Sequence, residues 1–428
     1  MRSGRHAGRR RSALITLFMA AGLCVAAAQP QKNAAAAVPD LQPTTRIPVE
    51  PLGFMPQGGF YMSYRLSSAS LGFLDNDHLL FTFRPGGLMK RLPGDEDGDE
   101  DQDIRAVVLD IATGKAGQPA EWRMHDRSRY MWPVAGGEFL IRMRNSLFLT
   151  DSSLRLRPWL NLPEDLRAVQ ISPDGTTLAL EMNEPAPPAS QNTVLGDKPA
   201  APEKKIKIII VPVGSHDAEA ASETHNPVML PMIPGGLLET LEGKKADTWA
   251  IRSVLFRGDP KIVAEVQSRC QPTLNPVSAT VTLVVGCYQS LGDQHVVALS
   301  ADGHQLWEQR WQARYVWPTF DFARNGSRFV YSTLDLGRPI GTMDPFDSTD
   351  VKAQMVGVFD TATGKLALVR NASPVMSAGQ NYALSADGRR FAILRDDAIE
   401  IYDLPPVAEP APGPAAQTQA SKQGSGKK

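Results

Sequence analysis

Two kinds of β-hairpin recur along this 428-residue chain, and the spacing between neighbouring copies leaves room for only one way of nesting them. Together these observations predict an all-β fold: a β-propeller of four-stranded blades, seven in preference to six, closed into a ring by an N-terminal strand. The first hairpin is seen in "VQISPDGTTLALEM" (Val169 to Met182), "DFARNGSRFVYSTL" (Asp321 to Leu334) and "YALSADGRRFAILR" (Tyr382 to Arg395). Each has a short apolar strand, a polar turn with Gly, and a second apolar strand. Gly accepts positive φ without steric cost, and Asp or Asn bonds its own backbone, as tight hairpins require. The second hairpin is seen in "AVVLDIATGKA" (Ala106 to Ala116), "VGVFDTATGKL" (Val356 to Leu366) and "VVALSADGHQLWEQRW" (Val296 to Trp311). Gly303 and Gly326 are 23 residues apart, too close for two copies of one unit. One therefore closes the outer hairpin of a blade, and the other the inner hairpin of the next.

In chain order, residues 1–28 read as an export signal. Five arginines and no acidic residue precede the apolar run "ALITLFMAAGLCVAAA", which ends in small residues suited to cleavage after Ala28. The run is short for a membrane span, and no second apolar segment of spanning length follows. Cys24 follows Leu23, where a lipoprotein signal carries a small residue, so soluble export to a periplasmic or extracellular location is favoured over a lipid anchor. Residues 29–45 and 406–428 are rich in Ala, Pro, Gln and Ser, offer little to bury, and read as a disordered linker and tail. Between them, 46–405 is expected to be a single propeller domain.

Inner turns are expected near Asp77, Gly137, Gly175, Gly258, Gly326 and Gly388, with another near Ser278. The region from 216 to 290 is the least repetitive. The last copy, "NYALSADGRRFAILRDDAIEIYDLPP", supplies three strands and then prolines. An unpaired edge would remain there. A strand within "GGFYMSYRLS" (Gly58 to Ser67) is the expected partner that closes the ring.

The inner hairpins "ISPDGTTLAL" and "LSADGRRFAI" resemble the bacterial WD-like propeller repeats of periplasmic proteins, including the Tol-system propeller. The outer hairpins "LDIATGKA", "FDTATGKL" and "LSADGHQLW" resemble the repeats of quinoprotein-type propellers. Such repeats imply a fold and not an activity. Many quinone-cofactor dehydrogenases carry vicinal cysteines and further cofactor-binding elements. This chain has no adjacent cysteines, and no cofactor is expected.

The leader's five arginines leave 40 basic against 46 acidic residues in the mature portion. No basic stripe remains to engage a phosphate backbone, so nucleic acid is not an expected partner. Cys270 and Cys287 are the two mature cysteines, and in an oxidising compartment they are expected to pair; two buried free thiols are the alternative. They do not make the four-ligand set of a zinc site, and no metal is expected.

"PGDEDGDEDQDI" (Pro93 to Ile104) has seven carboxylates, but Glu100 or Gln102 falls where a calcium loop needs Gly. It reads as a solvated insertion between strands of the first blade. The Pro-rich stretch Glu184 to Lys205 reads as a long loop inside the third blade. The "TGK" of the outer hairpins lacks the upstream Gly of a P-loop, where Leu109 and Phe359 stand instead. No G-x-S-x-G elbow, H-x-H or H-E-x-x-H spacing occurs, and no catalytic residue is assigned.

One further repeat bears on function. "RYMWP" (Arg129 to Pro133) returns as "RYVWP" (Arg314 to Pro318), each time just before an inner strand. Architecturally, Trp132 and Trp317 would wedge between blades, while Pro133 and Pro318 start strands where no ladder donor is needed. Functionally, Arg129, Tyr130, Trp132, Arg314, Tyr315 and Trp317 would line a shared binding face, since Arg, Tyr and Trp dominate interface hot spots. The sequence thus favours a non-enzymatic binding or scaffold propeller for a protein, peptide or cell-envelope component. The competing class is a propeller enzyme acting on a small or carbohydrate ligand in the central funnel.

Overall fold

The computed structural model describes residues 40–55, 69–85, 102–124, 129–183, 205–225, 231–287, 293–312, 315–337, 350–376 and 380–407. They lie within one compact unit, Val38–Lys428, and form seven antiparallel four-stranded sheets arranged as the blades of a propeller. The inner strands are Ala69–Phe73, Met131–Val134, Asp165–Ile171, Met232–Ile233, Thr273–Pro276, Tyr315–Phe322 and Tyr382–Leu384, for blades 1 to 7 in turn. Each blade runs outward from its inner strand, so a four-stranded sheet follows from two successive hairpins, as the spacing of the glycines requires.

A blade packs on both faces, so its middle strands are apolar throughout rather than alternating. The blade 6 strand Arg328–Leu336 is buried at every position but one. Seven core clusters follow among the described residues, and each joins one pair of neighbouring blades. Between blades 2 and 3, for example, Trp132, Leu140 and Leu147 meet Leu166, Leu178 and Leu180. Between blades 7 and 1, Leu394 and Ile399 meet Leu71 and Phe81. The ring therefore has a core at every interface.

The Ser-x-Asp-Gly turns show how local sequence sets the hairpins. Ser172 Oγ donates to Asp174 Oδ1 at 2.6 Å, and the Asp carboxylate accepts the N–H of Thr176 at 3.1 Å. Ser385, Asp387 and Arg389 repeat this at 2.7 and 3.0 Å. Gly175 and Gly388 take φ of +73° and +70°, the left-handed region that other residues avoid. In the outer hairpins, Asp110 plays the Asp role by accepting both the N–H and the Oγ–H of Thr113 at 2.7 Å.

The ring is closed by an N-terminal strand, but by a different segment from the one expected. Thr45–Pro48 pairs with Ala398–Asp403 and completes blade 7; Gly58 to Ser67 lies outside the described residues. "TRIP" has one deeply buried apolar side chain, Ile47, and so little alternation to announce it. The chain is held somewhat before this strand, within the stretch read as linker. Thr44 N–H donates to Ile401 O at 2.8 Å, and Arg370 reaches the carbonyl of Leu41.

A second correction concerns Gly258. It joins Thr248–Leu255 to Lys261–Gln267, the outer strands of blade 4, whereas the inner turn of that blade is Pro234–Gly235. Ser278 does mark the inner turn of blade 5. Seven blades result.

Both long insertions fall where expected. The strands flanking 184–204 pair with each other in blade 3, and those flanking 86–101 pair in blade 1; the insertions themselves, with most of the acidic stretch, lie outside the described residues. Cys270 and Cys287 form a disulfide that ties the entry of blade 5 to the end of its second strand, Val281–Cys287. Among the described residues no helix is long and apolar enough to cross a membrane, and no three His, Cys, Asp or Glu side chains gather as metal ligands would.

Candidate functional site in the central channel

The inner strands surround the axis, and two adjoining cavities of about 100 and 210 Å³ lie between them. Both are lined by Arg129 from the entry to blade 2 and by Asp321 and Arg324 from blade 6. Gln380 and Tyr382 of blade 7 and Ser70 of blade 1 line the first, while Gln170 and Ser172 of blade 3 line the second. The site is therefore assembled across the ring from segments distant in sequence.

Arg129 is open to solvent, but the surface it exposes is channel wall, with protein around it. Its Nε donates to Met131 O at 3.3 Å, and its Cζ lies 5.8 Å from the Trp132 ring centroid. Burial lowers the pKa of this guanidinium, against the opposing attraction of Asp321 and of the Tyr382 hydroxyl. Burial raises Asp321 above the ordinary carboxylate range, although Arg129, the N–H groups of Phe322 and Leu384, and Arg324 all favour its charged form. Burial likewise lowers Arg324, with Asp321 opposing. Two cations and one anion thus line one cavity.

Tyr382 and Gln380 are held by a buried polar network. The Tyr382 hydroxyl is 3.0 Å from Thr319 Oγ1, and burial pushes its pKa up to about 12, so it remains a neutral hydrogen-bonding group. Asn381 Nδ2 donates to Gln354 Oε1 at 2.8 Å and to Pro374 O at 2.7 Å. Gln354 Nε2 donates in turn to Ser332 Oγ and Asn381 Oδ1, both at 3.0 Å. Such a satisfied network fixes the approach to the inner strand of blade 7. On the blade 1 side, Ser70 Oγ donates to Gln380 Oε1 at 2.5 Å and Leu71 N–H to Gln380 O at 2.9 Å.

The repeated Arg-Tyr-x-Trp-Pro motif divides between these roles. Arg129 reaches the channel. Tyr130 is fully buried against blade 1, its hydroxyl 2.7 Å from Thr82 Oγ1 and its pKa pushed up to about 12 by burial. Trp132 is 8% exposed and packs between blades 2 and 3. Both aromatic rings are thus packing residues, as the architectural alternative expects for Trp132. Arg314 lies outside the described residues. Tyr315 and Trp317 belong to the inner strand of blade 6, where Tyr315 pairs with Asp335, and their side chains are likewise not described.

Asp321, Arg324, Gln380 and Tyr382 did not emerge from the sequence as site residues. A signal for two of them exists within the inner hairpins. Aligned on the turn glycine, Asp321 stands where the other copies have Gln170 and Ala383, and Arg324 where they have Pro173 and Ala386. Blade 6 alone among these three copies places charges at those positions.

No protein-family model matches the sequence, and no curated protein matches it. Among solved structures, it is similar to the uncomplexed acylaminoacyl peptidase of Pyrococcus horikoshii at 9% identity, covering 81% of this chain and 53% of that one, with a TM-score of 0.47. A crystal structure of a eukaryotic initiation factor is similar at 12% identity, over 79% of this chain and 76% of that one, with a TM-score of 0.36. A chain of a mitotic checkpoint complex is similar at 10% identity, over 90% and 98%, with a TM-score of 0.42. This chain spans about half the length of the peptidase. Likeness at such identities does not bear on what a protein binds or does. The propeller architecture itself is consistent with a binding or scaffold module.

Proposed function

We propose that this is an exported, non-enzymatic propeller that binds a protein, peptide or cell-envelope component through its central channel. The carrying observation is the convergence of Arg129, Asp321 and Arg324 on one cavity that the inner strands enclose. Guanidinium, amide and hydroxyl groups held by packing and hydrogen bonds are suited to recognition. The leader-like residues 1–28 support export to a periplasm or beyond. Recovery of protein from the producing cells with Gln29 at its N-terminus would test this.

The binding reading is tested by crosslinked affinity capture from envelope extract, comparing the mature protein with an Arg129→Ala, Arg324→Ala variant of equal melting temperature. A partner retained by the first and lost by the second is the expected result. Identical capture by both would refute a channel-based role.

A further inference from the structure

We propose that the ligand group received by the channel is a carboxylate. This rests on the binding reading above and specifies its chemistry. Two guanidiniums, Arg129 and Arg324, line one cavity, and among the described residues the carboxylate that acts on them is Asp321, which attracts both through space. The lining residues leave one positive charge in excess. A second anion is the missing complement, and guanidinium forks match a carboxylate in shape and charge.

Gln380 points the same way and is independent of the charges. Gln380 lines the same cavity and is 6% exposed, its Oε1 is taken by Ser70, and its buried Nε2 has no hydrogen-bond partner among the described residues. A buried amide N–H without an acceptor is unfavourable, and native proteins rarely leave one. A carboxylate oxygen seated against Gln380 would supply that acceptor after a small shift of the side chain. The cavity beside Gln380, of about 100 Å³, admits such a group with a short length of chain.

The carboxylate has two sources with the same chemistry: a peptide chain, through its C-terminus or an acidic side chain, or a free small acid. Binding to the mature protein is measured by calorimetry with three probes. These are succinate, a library of N-acetylated pentapeptides with free C-terminal acids, and the same library amidated with Gln and Asn in place of Glu and Asp.

Binding of the acid library alone assigns a peptide carboxylate, and binding of succinate assigns a small acid; either supports the proposal. Arg129→Met should weaken that binding at least tenfold. Asp321→Asn should strengthen it several-fold, because the competing charge is gone, an effect that mere loss of structure would not produce.

Equal binding of the acid and neutral libraries would overturn the carboxylate inference and leave the binding module standing. Absence of binding to all three probes, with a partner still captured through Arg129 and Arg324, would overturn the inference in the same way. Absence of both would remove the two readings together.

Discussion

Ile47 pairs with Ile399, so the first strand of the described chain and the last are adjacent, and one antiparallel ladder of four residue pairs joins the two ends of the propeller. Ile47 is 2% exposed and its neighbours come from both blade 7 and blade 1. Truncating it therefore leaves a cavity at the closure itself. Ile47→Ala is expected to lower unfolding free energy by about 2–5 kcal/mol. Removing residues up to Pro48 also bares the backbone of Ala398–Asp403 and should cost more. Denaturant melts of both variants check this, and an unchanged midpoint would mean that the ring does not depend on its closing strand.

Arg328 and Asp360 form the buried ion pair of blade 6. Arg328 is 1% exposed; its Nε donates to Asp360 Oδ1 at 2.8 Å, its Nη1 to Gly388 O at 2.8 Å, and its Nη2 to the carbonyl of Pro405. It therefore ties blade 6 to the turn and end of blade 7. Asp360→Ala leaves the guanidinium buried without its counter-charge, and a loss of about 3–5 kcal/mol is expected. Replacing both partners, as Arg328→Met with Asp360→Leu, should cost less than the single change, since no unpaired charge remains. A double-mutant cycle reads the difference. Additive effects would show that the pair acts as two separate packing residues.

The Cys270–Cys287 bond closes a loop of 17 residues in sequence separation. Cross-linking restricts the unfolded chain, and for a loop near this length the stabilisation is about 3 kcal/mol. Comparing urea midpoints of the oxidised protein and the Cys270→Ser, Cys287→Ser variant measures it. Ser268 accepts the Cys287 N–H at 2.9 Å and donates to Cys270 O at 2.6 Å, so the local hydrogen bonds survive the substitution. Equal midpoints would mean that those bonds already impose the constraint.

The blades were legible because their turns are chemical signatures, and the exceptions fail for the same reason. Ser172, Asp174 and Gly175 announce a turn through their own hydrogen bonds, whereas blade 4 turns at Pro234–Gly235 after an inner strand of two residues, with no such set. Gly258, the turn glycine of that region, closes the outer hairpin instead. The closing strand is hard to place because "TRIP" buries one apolar residue, and its register depends on a partner about 350 positions away. Site residues were less legible still. Asp321 and Arg324 can be read as departures from their repeat, but nothing local links Gln380 to Arg129, because ring closure brings them together. Tyr130 shows the converse: a hot-spot residue type in a repeated motif whose burial was decided by packing against blade 1.

Asp321 and Asp174 are carboxylates whose environments act in opposite directions, and acid titration should separate them. Burial raises Asp321 above the usual value, so its contribution to stability is fully present below the unfolded pKa near 3.8 and is lost as pH rises through the raised folded value. Asn stays neutral throughout and retains an acceptor for the Leu384 N–H. Asp321→Asn should thus match the wild type in acid and become relatively more stable as pH climbs from about 4 towards neutrality.

At Asp174, burial also works to raise the pKa, but hydrogen bonds from Ser172 and from the N–H and hydroxyl of Thr176 outweigh it and hold the carboxyl below its usual value. Its stabilisation is present above 3.8 and is lost as pH falls through the lowered value, so Asp174→Asn should be destabilising at neutral pH and progressively less so in acid. Melting temperatures of the three proteins across this range give the two slopes. Parallel curves for Asp321→Asn and wild type would show that the channel leaves Asp321 as well hydrated as in the unfolded chain.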